Sequence, residues 1–533
     1  SRLGFATSFF RQQGPRTARL SPTTGADYTG NSSPAGTCFP VASGLRTSPR
    51  KDHMPDTAST RTRVLLTGAT GNWGRATLRV MREFPATLQV FAFSRDSEED
   101  REALDEFVDM KNLHVIWGDL TDYSALAAAV GKVDIVLHVG AVVSPFADEH
   151  PELAWKVNVE SMANIVRAVT ALPEPGRVAV VGVGSVAESG NRNPPQHWGR
   201  IGDPIRVSRF DEYGQTKVVA EKILVDSGLP KWAWLRQTGI FHPGVMQMRD
   251  PIMTHPPLGG VLEWVSAEDS ARLLTAICRP ETPESFWGGI YNIGGGDGWR
   301  LTNWDLQVAI GDAMGVADIR RWYKRNWFAL KNFHGQWFTD SHILNDMFSF
   351  REDTFEKAMK RALEASPSSV RNAGRVPASL VRMFGLTPVT RQPRGTMAAI
   401  RDRDDEAIAA HFGSLAEWKN IGDWSTFTPA TPSRVETYLD HGYDENVSRK
   451  KWNAALYKDA AAFRGGTLLT EDPRDGDIVN ALHWRCGLGH EFSASSRLVL
   501  TGGHWCPECT RDTAGYAAQA EHNSFLAQLE PDA

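Results

Sequence analysis

The chain has 533 residues, of which 41% are hydrophobic and 23% charged, and its formal net charge is −5. Such a length predicts two or three domains of ordinary globular composition. The modest charge gives no footprint for nucleic acid or an anionic membrane surface. No apolar run approaches the ~20 residues that span a bilayer, and five cysteines make no disulfide framework. A reducing, cytoplasmic setting is the expectation.

Residues 1–60 are rich in Ser, Thr, Gly, Pro and Arg and lack apolar periodicity, the composition of a disordered segment. The first methionine is Met54. A dispensable tail ahead of a start at Met54 is favoured over an Arg-rich transit peptide.

From Arg63 the pattern changes. Val64–Leu66 predicts a strand, followed by a helical pattern to Arg82. Leu88–Phe93, His114–Trp117, Val133–His138 and Arg177–Val183 predict further strands, with a helix over Pro151–Thr170. Apolar strands alternating with helices predict an α/β fold, a doubly wound parallel sheet covered on both faces, over residues 61–310. Residues 311–474 read as a mainly helical region and a candidate substrate-binding part, with a loop over Val370–Gly395. Residues 475–533 read as a small separate module with its own cysteines.

The first strand runs into Thr67-Gly68-Ala69-Thr70-Gly71-Asn72-Trp73-Gly74, with glycines spaced by three. Glycine gives the positive φ and close backbone approach that such a turn needs. Free N–H groups at the following helix N-terminus then suit a pyrophosphate. An ordinary tight turn is the alternative. Farther on, Tyr213 and Lys217 stand four apart, on one face of a helix. An ammonium beside a phenol favours the phenolate, so the pair predicts acid–base chemistry with a lowered tyrosine pKa; a plain surface helix is the alternative.

These residues resemble the extended short-chain dehydrogenase/reductase superfamily, in its NAD-dependent epimerase/dehydratase group, over residues 62–310. The motif TGATGNWG, Gly118-Asp119-Leu120, the segment Asp134–Ala141, Asn158-Val159 and Tyr291–Gly295 carry the resemblance. It implies a Rossmann domain with a cofactor site of Gly68, Thr70, Gly71, Asn72, Trp73, Gly74, Asp119 (beside the adenine), Leu120, Val139, Gly140 and Ala141. It also implies a catalytic set: Ser185 to hold the reacting oxygen, Tyr213 to move the proton, Lys217 to hold the ribose, and Asn158 to support a water relay.

After the second strand stands Ser94-Arg95-Asp96. Arg95 matches a ribose 2′-phosphate in fork geometry, so NADP is favoured over NAD, though Asp96 argues for NAD. Sugar-nucleotide dehydratases of the group carry an Asp-Glu pair where this chain has Val186-Ala187, which argues against dehydration. Little chain lies between Phe241 and Trp264 for a nucleotide-sugar lobe, unless residues 310–470 supply one. The expectation is an NAD(P)-dependent interconversion of a small or medium, hydrophobic carbonyl compound and its alcohol. A possible homodimer is also expected, with no nucleic-acid or membrane partner. An NAD-dependent epimerase and a non-catalytic dinucleotide sensor or scaffold stay as alternatives.

Near the end, Cys486-Gly-Leu-Gly-His490 precedes Cys506-Pro-Glu-Cys509. Three thiolates and an imidazole suit tetrahedral, structural Zn2+ with no open position. His483 and His504 are competing fourth ligands, and a redox Cys-x-x-Cys is the alternative. The segment resembles zinc-ribbon-like modules.

Overall fold

The computed structural model describes residues 61–247 and 250–530; the expectations for the tail before Arg61 lie outside them. Seven parallel strands form the main sheet: β1 (Thr62–Thr67), β2 (Leu88–Ser94), β3 (Leu113–Trp117), β4 (Ile135–His138), β5 (Ala179–Ser185), β6 (Trp232–Gln237) and β7 (Gly289–Ile293). Their order is β7-β6-β5-β4-β1-β2-β3. It reverses direction between β1 and β4, where a doubly wound sheet opens its binding crevice beyond the strand carboxyl ends. Every strand read from the sequence is present, and the architecture is the expected Rossmann sheet.

Alternation along β1 explains the layers, because successive side chains point to opposite faces. Val64 and Leu66 pack with helices α1 (Asn72–Met81) and α5 (Ala267–Ile277). Leu65 packs on the other face with α2 (Tyr123–Val130), α3 (Ser161–Thr170) and α4 (Glu212–Val225). The helical stretch predicted over Pro151–Thr170 forms, with one π-helical turn at Trp155–Glu160. Among the described residues, no helix is long and apolar enough to cross a membrane.

Beyond the sheet, α6 (Asn303–Ala313) and the following short helices build an aromatic-rich lobe. Trp322 and Trp327 are buried in its core and Trp304 packs against it, while Trp337 pairs with Trp198 in a smaller cluster. The predicted loop over Val370–Gly395 is instead a string of helical turns, including Ala378–Leu380 and Thr387–Thr390. Val370, Ala373, Ala378 and Val381 lean on the lobe core and Leu386 enters it. That short apolar series supplies enough burial to organise a segment dense in breakers.

The C-terminal segment, read as a separate module, shares the sheet's core. Trp484, Leu498 and Leu500 are fully or almost fully buried in the same cluster as Trp234 and Leu224. The described residues all fall within one compact unit.

Candidate active site and metal knot

β1 delivers the chain to the glycine turn. Gly68 has φ +68°, and a Cβ there would lie 2.6 Å from the Gly140 Cα. Only glycine lets the turns after β1 and β4 touch in this way. The Gly140 N–H donates to the Thr67 hydroxyl at 3.0 Å, which fixes the second turn. Gly74 is also required, since a Cβ there would overlap the Gly68 carbonyl. Gly71 differs: a Cβ would meet nothing nearer than 3.4 Å.

Helix α1 starts here with no side-chain cap and no acidic residue in its first turn. Its N–H groups and positive end are therefore available to an anion. They face a cavity of about 780 Å³. Gly68, Thr70, Gly71, Asn72, Trp73, Gly74, Arg95, Asp119, Leu120, Val139, Gly140, Ala141, Ser185, Tyr213 and Lys217 all line it. One cavity thus gathers every residue expected to hold cofactor or substrate except Asn158.

Asn158 is placed elsewhere. Its side chain accepts from the Val142 N–H and donates to the Val142 carbonyl, both at 2.8 Å, and donates to the Thr216 hydroxyl at 2.9 Å. The π turn aims it at that loop, where it ties the segment after β4 to α4. The structure therefore gives it a positioning place rather than a place lining the cavity.

Asp211 caps α4, accepting from the Gly214 N–H at 2.7 Å, and so sets the register of Tyr213 and Lys217. The Lys217 ammonium donates to the Val183 carbonyl at 2.8 Å and lies 5.8 Å from the Tyr213 ring centre. Burial lowers its pKa to about 8, against an opposing pull from Glu188. The expected lowering of the tyrosine pKa is not found. Burial raises the phenol, Glu188 and Asp211 raise it further, and only its hydrogen bond with Ser185 opposes them. Burial is the largest cause, because taking the phenol out of water disfavours the phenolate.

Several cavity groups escape a reading of the sequence. Asp100 is buried, accepts from Thr70 Oγ1 at 2.8 Å and pairs with Arg95 Nε at 3.0 Å. Asp96 pairs instead with Arg101, away from the cavity lining. His138, buried and outside the cavity lining, bridges the Thr67 and Ser161 hydroxyls at 3.0 Å each. Burial and then Lys217 push its pKa down to about 3, so it is neutral. Gln237, Thr238 and His242 also line the cavity. Nothing local in the sequence marks Asp100 or His242.

Beside this cavity lies a chamber of about 290 Å³. Ser185 lines the cavity and Val186 the chamber. Val245, Met253, Leu262, Trp264, Leu306 and Phe333 make its walls largely apolar. Chain beyond residue 310 does contribute a lobe, as Phe333 and the aromatic core show. Lack of room is therefore no argument against a larger substrate.

At the far end, Cys486, His490, Cys506 and Cys509 bring their donor atoms within 4.8 Å of one another. Cys506 and Cys509 Sγ each lie 3.5 Å from His490 Nδ1, and Cys509 Sγ lies 3.7 Å from Cys486 Sγ. Zn–S bonds of about 2.3 Å at tetrahedral angles place sulfurs about 3.8 Å apart, so the donor set fits zinc. The competing histidines are engaged elsewhere, His483 with Ser493 and His504 with Glu221.

Residues 64–229 match the model of the NAD dependent epimerase/dehydratase family. The 3 beta-hydroxysteroid dehydrogenase type 7 of Mus musculus is 28% identical over 209 residues, 37% of this chain and 55% of that protein. The UDP-N-acetylglucosamine 4,6-dehydratase (inverting) of Campylobacter jejuni is 29% identical over 106 residues, 20% of this chain and 31% of that protein. The chain thus spans about half or less of these curated relatives. The solved UDP-glucose 4-epimerase of Thermus thermophilus, a complex with NAD, aligns over 59% of this chain and all of its own, at 18% identity and a TM-score of 0.45. The family match thus covers residues 64–229, which carry β1 to β5 of the sheet and helix α4.

Proposed function

We propose that the protein is an NADP-preferring oxidoreductase that interconverts a hydrophobic carbonyl compound and its alcohol. The observation that carries this reading is the single cavity shared by the uncapped start of α1 and the Ser185, Tyr213 and Lys217 side chains. The α1 N-terminus with Gly71 would receive the pyrophosphate. Arg95, two-thirds exposed at the rim beside Ser94, would take the 2′-phosphate, with Asp100 holding the guanidinium in place.

When bound, the nicotinamide supplies or accepts the hydride. The protein's own residues handle the proton. Ser185 Oγ and the Tyr213 hydroxyl hold the substrate oxygen. In reduction the Tyr213 proton passes to that oxygen as the carbonyl carbon gains the hydride; in oxidation both transfers reverse. Lys217 would leave Val183 for the ribose hydroxyls, which also brings its charge nearer the phenolate. The chamber beyond Val186 would take the apolar flank of the substrate.

The Cys486/His490/Cys506/Cys509 set would hold Zn2+ with four protein donors, leaving no coordination position for substrate. Its role in this reading is structural.

The test is a panel of aldehydes and ketones assayed by net loss of reduced nicotinamide. Stoichiometric consumption supports the oxidoreductase. Conversion with no net consumption would favour an epimerase, which borrows and returns the hydride.

A further inference from the structure

Glu188, Glu221 and Arg236 form a charge cluster with at most 1% of any of the three exposed. The Ser185 N–H donates to Glu188 Oε1 at 2.7 Å. Arg236 donates from Nε and Nη2 to the two oxygens of Glu221 at 2.9 and 2.7 Å, and its Nε lies 3.3 Å from Glu188. Two carboxyls face one guanidinium, so one of them keeps a proton. Burial and the neighbouring Glu221 push Glu188 well up. Glu221 goes the other way: burial opposes its charge, but Arg236, Glu188 and His504 outweigh burial and keep it ionised.

The sheet alone does not close this cluster. Arg236 Nη2 donates to the Gly502 carbonyl at 2.7 Å, and His504 Nε2 donates to Glu221 Oε1 at 3.0 Å. Gly503, between them, has φ +76° and lies against the Asp203 backbone, a conformation that suits glycine. Two residues after His504 stands Cys506. A second tie leaves the other side of the knot. Gln215, between Tyr213 and Lys217 on α4, donates to the Thr510 carbonyl at 3.1 Å, and Thr510 follows Cys509.

We propose that the C-terminal Cys/His knot is a positioning device for the catalytic centre. By fixing Gly502, His504 and Thr510, the metal-held knot sets the Glu221–Arg236–Glu188 cluster and the outer face of α4. These in turn set the main chain at Ser185 and the register of Tyr213 and Lys217. Metal occupancy then governs turnover from a site that touches neither substrate nor dinucleotide. His504, Glu221 and Glu188 are positioning residues in this scheme. The turnover part rests on the proposed oxidoreductase reading; the positioning part does not.

The experiment compares His504→Leu, which removes the donor, with His504→Gln, which keeps an N–H in reach of Glu221. Both are assayed as full-length chains for bound zinc, for amide hydrogen exchange and for turnover. In His504→Leu, zinc content should stay at the wild-type level and peptides over residues 183–190 should exchange about tenfold faster. Peptides over residues 62–81 should not change. His504→Gln should restore protection, which simple filling of space would not do. Stripping wild-type protein with dipicolinate should expose residues 183–190 in the same way, and added Zn2+ should reverse it. Once a substrate is found, kcat in His504→Leu should fall about tenfold, the size of one lost charge-assisted hydrogen bond, with the NADPH Kd within about twofold. Unchanged exchange at residues 183–190 in both His504→Leu and zinc-stripped protein would overturn the proposal. So would equal damage in the Leu and Gln variants. If no carbonyl substrate turns over, the exchange results still decide the positioning claim, and only the oxidoreductase reading fails.

Discussion

Lys217 Nζ donates to the Val183 carbonyl at 2.8 Å, so the cation that should serve the dinucleotide is parked on the strand beside it. Burial holds its pKa at about 8. Below that pH the ammonium is present to meet ribose hydroxyls; above it the group is neutral. NADPH affinity should therefore be flat below pH 7.5 and weaken as pH rises through about 8. The slope should be up to tenfold per pH unit, because the bound form holds one more proton than the free form. Fluorescence titrations from pH 6.5 to 9.5 would show this. Lys217→Met should bind weakly at every pH and lose the slope; a slope that survived the substitution would assign it to another group.

Gly71 and Gly68 separate binding from folding. A Cβ at Gly71 meets only the Gly68 carbonyl oxygen, at an ordinary 3.4 Å, whereas one at Gly68 collides with Gly140 in a backbone that side chains rarely adopt. Gly71→Val should keep its melting temperature within about 2 °C, since surface changes usually stay within about ±0.5 kcal/mol. It should nonetheless lose dinucleotide binding. Gly68→Ala should destabilise the protein by about 1–3 kcal/mol. Thermal melts and NADPH titrations on both variants check the pair. Wild-type affinity in Gly71→Val would remove the pyrophosphate from this turn.

Arg95 is the proposed reader of the 2′-phosphate, and Asp100 is its anchor. Arg95→Asp should shift the ratio of kcat/KM from NADPH towards NADH by at least about 10-fold, the worth of one charge-assisted contact. An unchanged ratio would leave Arg95 a rim residue paired only with Asp100.

The knot predicts about one zinc per purified chain by metal analysis. Cys506→Ser should lose most of it, and segment 481–511 should become open to proteolysis, because metal binding is folding energy in such a site. A metal-free chain with a reversible Cys506–Cys509 disulfide would support the redox alternative instead.

Local features are the legible ones. The strands Leu88–Ser94 and Ala179–Ser185 are nearly continuous apolar runs, and the glycine turn and the Tyr213/Lys217 spacing lie within a few residues of sequence. The knot is readable for the same reason, up to the choice among three histidines. What stays hidden depends on long-range packing. Glu221 and His504 are 283 positions apart yet share a hydrogen bond, and Asp100 reaches back 30 positions to Thr70. The phenol pKa is not legible because spacing places Lys217 near Tyr213 but does not show that burial outweighs any help from the ammonium. The C-terminal segment reads as separate because its cysteines stand out, while Trp484 and Leu498, which bind it to the sheet, look like any apolar residues.

The most direct measurement is single-turnover hydride transfer by Tyr213→Phe, alongside its NADPH affinity, on whichever aldehyde or ketone the wild type reduces. The ring would still pack, so affinity should stay within about threefold. Loss of the proton donor should cut the rate by about 10²–10⁴, the usual range for general acid–base help. A Tyr213→Phe protein that transferred hydride at the wild-type rate would contradict the account at its centre.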